Sequence, residues 1–268
     1  MPSLLLVLAA LTRDVDDAGS PDLLNVTFNV DGVDVAVADF RADHPQAQGY
    51  LQDIQAVTTY HALSLTNSSV RIGNRGDNAW APKHILLFDD FWSRDAFPIA
   101  METDLTQWLS SDVNEGALTL PLRLVGRGDF DTLIHRLLLL VRTADEDEAE
   151  TDSPVRIVVT DKNGQPRMSE LITDAKADTP QYDLERGFAN WYFLPVQTPF
   201  SVHDIFPGGR IELENLGKDA WLPDRLYLFG LDTPVGRPTK LVTLVVKQNW
   251  DAGVLSQDET EGSPKVKL

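Results

Sequence analysis

Residues 77–88 read DNAWAPKHILLF and residues 218–229 read KDAWLPDRLYLF, so nearly the same stretch occurs twice in one chain. Each copy opens with a polar turn, continues through Trp and Pro, and ends in an apolar run that is typical of a buried β-strand. Recurrence of a long stretch at a large offset is the signature of a duplicated structural unit. The sequence therefore predicts two similar units.

The similarity continues as an ordered series of matches on both sides of that stretch. Aligning Pro21 with Pro154 places Leu4–Leu8 on Leu137–Val141. The further matches, in chain order, are Leu24 with Ile157, Val26 with Val159, Phe28 with Asp161, Trp80 with Trp221, and Trp108 with Trp250. We predict homologous units over residues 1–124 and 131–268, joined by a linker over residues 125–130, where glycines interrupt regular structure.

Within each unit the apolar residues mostly recur at every second position, as Arg210–Glu214 illustrates. Turn residues punctuate the chain, and the apolar segments between them are short and rich in β-branched side chains. Only the stretches near 47–57 and 183–187 suggest a turn or two of helix. We expect an all-β chain of two tandem antiparallel β-sandwiches related by internal duplication.

The net charge of −18 and the complete lack of cysteine exclude several classes of function. Nucleic-acid binding depends on Lys and Arg at phosphates, so no nucleic-acid partner is expected. Disulfides, thiol catalysis and cysteine-ligated zinc are excluded. An anionic bilayer is disfavoured unless a cation such as calcium intervenes, whereas a basic protein would be attracted.

The apolar run at Leu4–Leu8 lacks the positively charged flank of a signal peptide and is too short to span a bilayer as a helix. Its match to Leu137–Val141 predicts instead that it is the first strand of unit one. The chain is not expected to be transmembrane. A cytoplasmic location is favoured, because no convincing signal peptide and no cysteine are present.

Unit two has the order of an apolar strand, an acidic loop, an alternating strand, a strand around Trp191–Leu194, and then RIELENLGKDAWLPDRLYLF at 210–229. A last strand ending in Asn249-Trp250 follows. This order resembles the PLAT domain, also called the lipoxygenase-homology domain. The resemblance covers most of unit two, and reaches unit one mainly through Trp80 and Trp108.

The resemblance implies about eight strands in each sandwich. It also implies a non-catalytic module that docks onto a membrane, a lipid or a protein partner. Some PLAT domains use loop carboxylates to bind calcium, so Ca²⁺ is the one cofactor that the resemblance suggests. The strongly acidic composition differs from the family and argues against docking onto membranes in general.

The repeated tryptophans are interpreted as structural anchors. A Trp that enters a strand beside a Pro is a large apolar side chain whose ring N–H needs a buried acceptor. Because both units must build the same core, we assign Trp80, Trp108, Trp221 and Trp250 to the core.

Clustered carboxylates in the first loop of each unit are candidate calcium ligands. Asp14, Asp16 and Asp17 recur in unit two as an acidic run that includes Asp145 and Asp147. Several hard oxygens at short range suit calcium, but solvated acidic loops have the same composition. Both interpretations stay open.

The most divergent point between the copies is a candidate partner-binding loop. Unit one has Asp89, Asp90, Phe91 and Trp92 directly after its repeated strand, and unit two has no aromatic residue there. Exposed loop aromatics are frequent binding anchors, although these two could also pack against the neighbouring unit. Trp191 is a second candidate for partner contact.

No catalytic signature occurs: there is no nucleophile elbow, phosphate loop or dinucleotide fingerprint, and the histidines are scattered. The leading hypothesis is a non-enzymatic module that recognises a protein or lipid-associated partner. The alternative is an acidic immunity or accessory protein that binds a basic or lipolytic effector. An enzyme, such as a hydrolase, with an unrecognised site is the third.

Overall fold

Antiparallel strands make up most of the computed structural model, which describes residues 3–42, 47–57, 69–92, 95–172 and 184–268. Side chains are not described at residues 3, 4, 36, 57, 90–92 and 95. The chain divides into two compact units, Met1–Arg127 and Gly128–Leu268.

The strands of unit one are β1 (Ser3–Thr12), β2 (Ser20–Val30), β3 (Val33–Ala42), β4 (Gly49–Val57), β5 (Ser69–Asn74), β6 (Pro82–Trp92), β7 (Asp95–Glu102), β8 (Thr119–Leu122) and the two-residue β9 (Gly126–Arg127). The elements of unit two are β10 (Ile134–Thr143), β11 (Val155–Thr160), β12 (Pro166–Ile172), β13 (Ala189–Phe200), a short helix α1 (Val202–Ile205), β14 (Arg210–Asn215), β15 (Pro223–Leu231), β16 (Lys240–Lys247) and β17 (Lys265–Lys267).

The two units have the same strand order. In unit one, one sheet has the order β4-β1-β6-β7 and the other β3-β2-β5-β8. In unit two, the corresponding orders are β13-β10-β15-β16 and β12-β11-β14-β17. The prediction of all-β, eight-stranded antiparallel sandwiches is confirmed.

Each sandwich encloses its own apolar core, to which both sheets contribute. In unit one Leu8 of β1 and Phe28 of β2 share a core with Trp80. In unit two Leu139 and Ile157 share a core with Trp221. Alternate side chains of each strand supply these contacts, as the period of two predicted.

The first strand of each unit is buried on both faces. Leu6 and Leu8 point into the core, while Val7 and Ala9, on the opposite face, are also fully buried. A strand buried on both faces has no position for a polar side chain and becomes a continuous apolar run. The early apolar segment is β1, as the repeat predicted.

The predicted alignment of the first strands is wrong by two residues. Past a bulge in each unit, Thr12 pairs with Pro82 and Thr143 pairs with Pro223, so Thr12 corresponds to Thr143. Leu24 likewise corresponds to Val155, because they pair with Asn74 and Asn215. A shift of two keeps every side chain on the same face, so apolar alternation cannot detect it.

The helical expectation near 47–57 is also wrong. Gly49–Val57 is β4, which pairs with β1 along its whole length. Pairing with a fully buried strand satisfies its backbone groups and overrides weak local preferences. Leu184–Gly187 forms turns, and Asp183 lies outside the described residues.

Candidate binding clefts

Three segments meet at one end of each sandwich, which we call the loop end. In unit one they are the first loop at residues 13–19, the turn at 75–79 and the late loop at 110–117. In unit two they are residues 144–150, 216–220 and 256–263. Backbone and side-chain hydrogen bonds fix both sets in the same way.

A buried tryptophan anchors each loop end. Trp80 Nε1 donates to Thr12 Oγ1 at 3.2 Å, and Trp221 Nε1 donates to Thr143 Oγ1 at 3.1 Å. Both indole rings are fully buried. The turn before each anchor is therefore held against the end of the first strand.

An asparagine that the sequence analysis missed joins the turn to the late loop. Asn74 Nδ2 donates to the carbonyl oxygens of Asn78 and Leu109, at 2.7 and 3.3 Å. Asn215 Nδ2 makes the matching bonds to Asp219 and Leu255, at 2.8 and 2.9 Å. Its recurrence just before each repeated turn was the available signal.

The late loop of each unit is closed by internal hydrogen bonds. Ser110 Oγ donates to Glu115 Oε2 at 3.0 Å, and Ser256 Oγ donates to Glu261 Oε2 at 3.2 Å. In unit two the Thr260 hydroxyl donates to Asp258, which lowers the pKa of that carboxyl.

A glycine in each late loop allows the chain to close on itself. A Cβ at Gly116 would lie 2.3 Å from the Trp108 carbonyl oxygen, and one at Gly262 would lie 2.2 Å from the Val254 oxygen. These contacts with backbone atoms cannot be relieved by a side-chain movement, so both positions need glycine.

In unit one these segments enclose a cleft of about 680 Å³, which we call cleft one. Its acidic lining residues are Asp16, Asp17, Asp77 and Glu115, and its aromatic wall is Trp108. The volume lies within the range of roughly 300–1,000 Å³ that is typical of ligand sites. The Arg13 guanidinium stacks 5.1 Å from the Trp108 ring centroid.

Unit two has a cleft of about 580 Å³ at the equivalent position, which we call cleft two. Its ionisable lining residues are Glu148, Glu150, Asp152, Glu185, Lys218, Asp219 and Glu261. Asp17 and Glu148 occupy the same left-handed loop position, with φ values of 58° and 63°. The duplication has thus produced two acidic clefts.

The predicted calcium ligands divide between different environments. Asp16 and Asp17 line cleft one, whereas Asp145 and Asp147 both pair with Arg186. Hydrogen bonds from Arg186 to the two carboxylates, first Asp145 and then Asp147, raise the pKa of the guanidinium.

Among residues whose structure is described, no group of three or more His, Asp or Glu side chains is arranged to hold a metal ion. Asp14 belongs to the same first loop but does not line cleft one. Calcium binding stays a prediction.

The predicted equivalence of Trp108 and Trp250 in the two units is wrong, as the backbone hydrogen bonds show. Trp108 O accepts from Ala117 N–H, and Val254 O accepts from Ser263 N–H, so Trp108 corresponds to Val254. Trp250 N–H donates to Asp224 O and corresponds to Leu105, whose N–H donates to Lys83 O. Each late tryptophan therefore belongs to one copy alone.

The late tryptophans also differ from the fully buried anchors in exposure. Trp250 is partly buried against the core of unit two, and its Nε1 donates to Gly253 O at 2.6 Å. Trp108 is partly buried and lines cleft one. The assignment of Trp108 to the core is replaced by a position at the cleft.

The predicted partner loop does not meet the acidic loops. Asp89 is buried near the end of β6, and the backbone of Phe91 and Trp92 completes that strand. The side chains of Asp90, Phe91 and Trp92 lie outside the described residues. Because the loop end adjoins the start of β6, the two predicted sites lie at opposite ends of one strand.

Trp191 was predicted to contact a partner, but it is only 1% exposed on β13. Its neighbours Tyr192 and Leu194 belong to the core of unit two. Its burial is the physical reason to withdraw Trp191 as a partner anchor.

Comparisons with known proteins give no family. No family model matches the chain, and no curated protein matches it. Among solved structures, an alpha toxin from Clostridium absonum is similar, with 18% sequence identity and a TM-score of 0.39. The match covers 53% of this chain and 33% of the toxin chain.

In the described part of the chain, no helix has the length and apolar character needed to cross a membrane.

Proposed function

We propose that the protein is a non-catalytic binding protein that engages a cationic protein partner through its two acidic clefts. The observation that carries the proposal is the same acidic concavity at the loop end of both units. Each cleft is assembled by the hydrogen bonds that also hold the buried tryptophan, so the site is built into the fold.

Several acidic side chains of the clefts are not engaged in holding the fold. Asp16 and Asp77 in cleft one, and Glu148 and Glu150 in cleft two, make no hydrogen bond or ion pair with another described residue. Carboxylates collected in a concavity favour a positively charged occupant, and in cleft two they outnumber the lysine of the lining, Lys218. Lysine and arginine side chains of a protein have that charge and can enter a cleft of this size.

The overall charge of −18 supports the same partner class. Long-range attraction accelerates encounter with a basic protein, and the clefts would fix its final orientation. An acidic immunity or accessory protein would act in this way toward a basic effector. Docking onto a lipid with calcium is the competing function.

The proposal is tested by isothermal titration of the whole chain with the end-blocked peptide GKGSKGKGSK at low salt. We expect two sites per chain, one per cleft. D16N/D77N should weaken one site by roughly tenfold, because each neutralised carboxylate removes part of the attraction at short range. E148Q/E150Q should weaken the other site.

The matched control is D31N/D131N. Asp31 and Asp131 are exposed acids at the ends of the units away from the clefts, so this variant has the same net charge as D16N/D77N. We expect it to bind like the unmodified protein. Equal weakening by the control would show diffuse attraction to the whole surface and would overturn the proposal.

Flotation with phosphatidylcholine vesicles separates the lipid function from the protein function. We expect no flotation with or without CaCl₂. Calcium-dependent flotation that the basic peptide does not displace would favour lipid docking instead.

A further inference from the structure

We propose that the two clefts have diverged in specificity, and that cleft one receives a protein segment in which Lys or Arg alternates with apolar side chains. The inference deepens the proposed function and rests on it. It is carried by apolar side chains exposed on the loops of unit one, together with the acidic residues that occupy the same positions in unit two.

The first observation is the exposure of two valines on the loops that contribute to cleft one. Val113, in the late loop, is 85% exposed, and Val15, in the first loop, is 37% exposed. Both loops contribute residues to the cleft lining. Exposed apolar side chains on these loops add apolar area that a bound protein segment would remove from water.

The second observation is the residue at each matching position of unit two. Asp17 and Glu148 share the left-handed loop conformation and occupy equivalent positions in the two units. Val15 and Glu146 each lie two residues earlier, so they are equivalent too. The late loops have the same length between their Ser–Glu hydrogen bonds, Ser110 to Glu115 and Ser256 to Glu261. Val113 of unit one is therefore equivalent to Glu259 of unit two. Both glutamates are exposed. The same scaffold therefore presents valines in one copy and carboxylates in the other.

The third observation is the wall of cleft one. Trp108 is partly buried and lines the cleft, and the Arg13 guanidinium lies 5.1 Å from its ring centroid. The equivalent Val254 is not part of the lining of cleft two. Tryptophan is one of the residue types that are enriched in binding hot spots.

The occupant follows from charge complementarity and these apolar contacts. Asp16, Asp77 and Glu115 attract ammonium or guanidinium groups, while Trp108 and the exposed valines cover apolar side chains between them. An anionic lipid surface would be repelled by the same carboxylates. Cleft two, with charged side chains in place of the valines, should select for charge alone.

The test compares two peptides on the whole chain. One is GKGSKGKGSK, and the other is GKLLKGKLLK, which keeps the lysines in place and exchanges Gly and Ser for Leu. We expect one of the two sites to bind the leucine peptide at least fivefold more tightly. V15E/V113E, which copies unit two, should abolish that preference and leave binding of the leucine-free peptide within about twofold or tighter. Thermal melting checks that this variant is folded.

The reciprocal variant E146V/E259V keeps the inference falsifiable if V15E/V113E misfolds. It should create a preference for the leucine peptide at the second site. The inference is overturned if neither variant changes the preference, or if the preference is absent from the unmodified protein. It is also overturned if the unmodified protein floats with phosphatidylcholine vesicles and V15E/V113E abolishes that flotation. Failure of the leucine-free peptide to bind would reject the proposed function itself.

Discussion

Thr12 and Thr143 accept the ring N–H of the buried anchors Trp80 and Trp221. Thr143 also donates its hydroxyl proton to Leu184 O at 3.1 Å. We expect Thr12→Val to lower the free energy of unfolding by about 1–2 kcal/mol, because the buried indole N–H loses its acceptor. Thr143→Val should cost more, by about 1 kcal/mol, because a buried carbonyl loses its donor as well.

Urea denaturation at pH 7 measures both losses. Thr119→Val is the control, since Thr119 is exposed on β8 and the same change there leaves no buried group unsatisfied. We expect the control to stay within about 0.5 kcal/mol of the unmodified protein. Equal losses for all three variants would contradict the role of the two acceptors.

Asp161 stabilises the turn between β11 and β12 through a buried carboxylate. It accepts from the backbone N–H groups of Gln165 and Asn163, at 2.9 and 2.8 Å, and pairs with Arg167 at 3.0 Å. The bond from Gln165 is the main cause that lowers the pKa of this carboxyl. A lowered folded-state pKa stabilises the protein above about pH 4, and that stabilisation is lost as the pH falls through the folded-state pKa.

We expect Asp161→Asn to be less stable than the unmodified protein at pH 7, and the difference to shrink at pH 3. Denaturation curves at both pH values provide the measurement. Asp31→Asn, at an exposed turn, should show little difference at either pH. A difference for Asp161→Asn that does not change with pH would contradict the assignment.

At the scale of elements, the β2–β3 hairpin has a turn that the sequence analysis did not single out. Asp31 and Gly32 have φ values of 52° and 84°, as a two-residue type I′ turn requires. Nothing lies within 4 Å of a Cβ at Gly32, so substitution there is opposed by backbone conformation alone. We expect Gly32→Ala to cost about 1 kcal/mol.

Asp31→Asn should leave the stability of the hairpin nearly unchanged, since Asn-Gly suits the same turn. Thermal melting compares the two variants. A neutral Gly32→Ala would show that the turn relaxes to a conformation with negative φ.

Strand existence followed from the sequence much better than strand register. Alternation predicted β14, and the repeat predicted β1 and β10. The alignment of the two copies missed the correct equivalent of Leu24 by two residues, because a shift of two leaves the same side chains on the buried face. The sequence analysis also missed β4, whose strand conformation depends on pairing with β1.

At the scale of the whole molecule, the charge of −18 gives a salt-dependent stability. Like charges repel within the folded chain, and salt screens that repulsion. We expect the Tm to rise between 20 and 200 mM NaCl, by roughly 2–4 °C for each kcal/mol of relieved repulsion. Differential scanning calorimetry measures the shift.

The same experiment tests the calcium prediction. Calcium binding by the first-loop carboxylates predicts a larger shift in Tm with CaCl₂ than with MgCl₂ at equal ionic strength, and equal shifts would contradict it. A larger shift with CaCl₂ would establish selective binding, and D16N/D17N or D145N/D147N would then identify the loop.

The sequence by itself determined the all-β class, the duplication, the two buried tryptophan anchors and the acidic character of the first loops. These properties follow from the local periodicity, the composition and the internal similarity of the sequence. Only the tertiary structure decided which loops meet. The clefts join residues such as Asp16, Asp77 and Glu115, which are distant in sequence and adjacent only because sheet pairing brings three loops to one end. The tertiary structure also determined the exposure of Trp108 and Val113, because the burial of a side chain depends on neighbours that are distant in sequence.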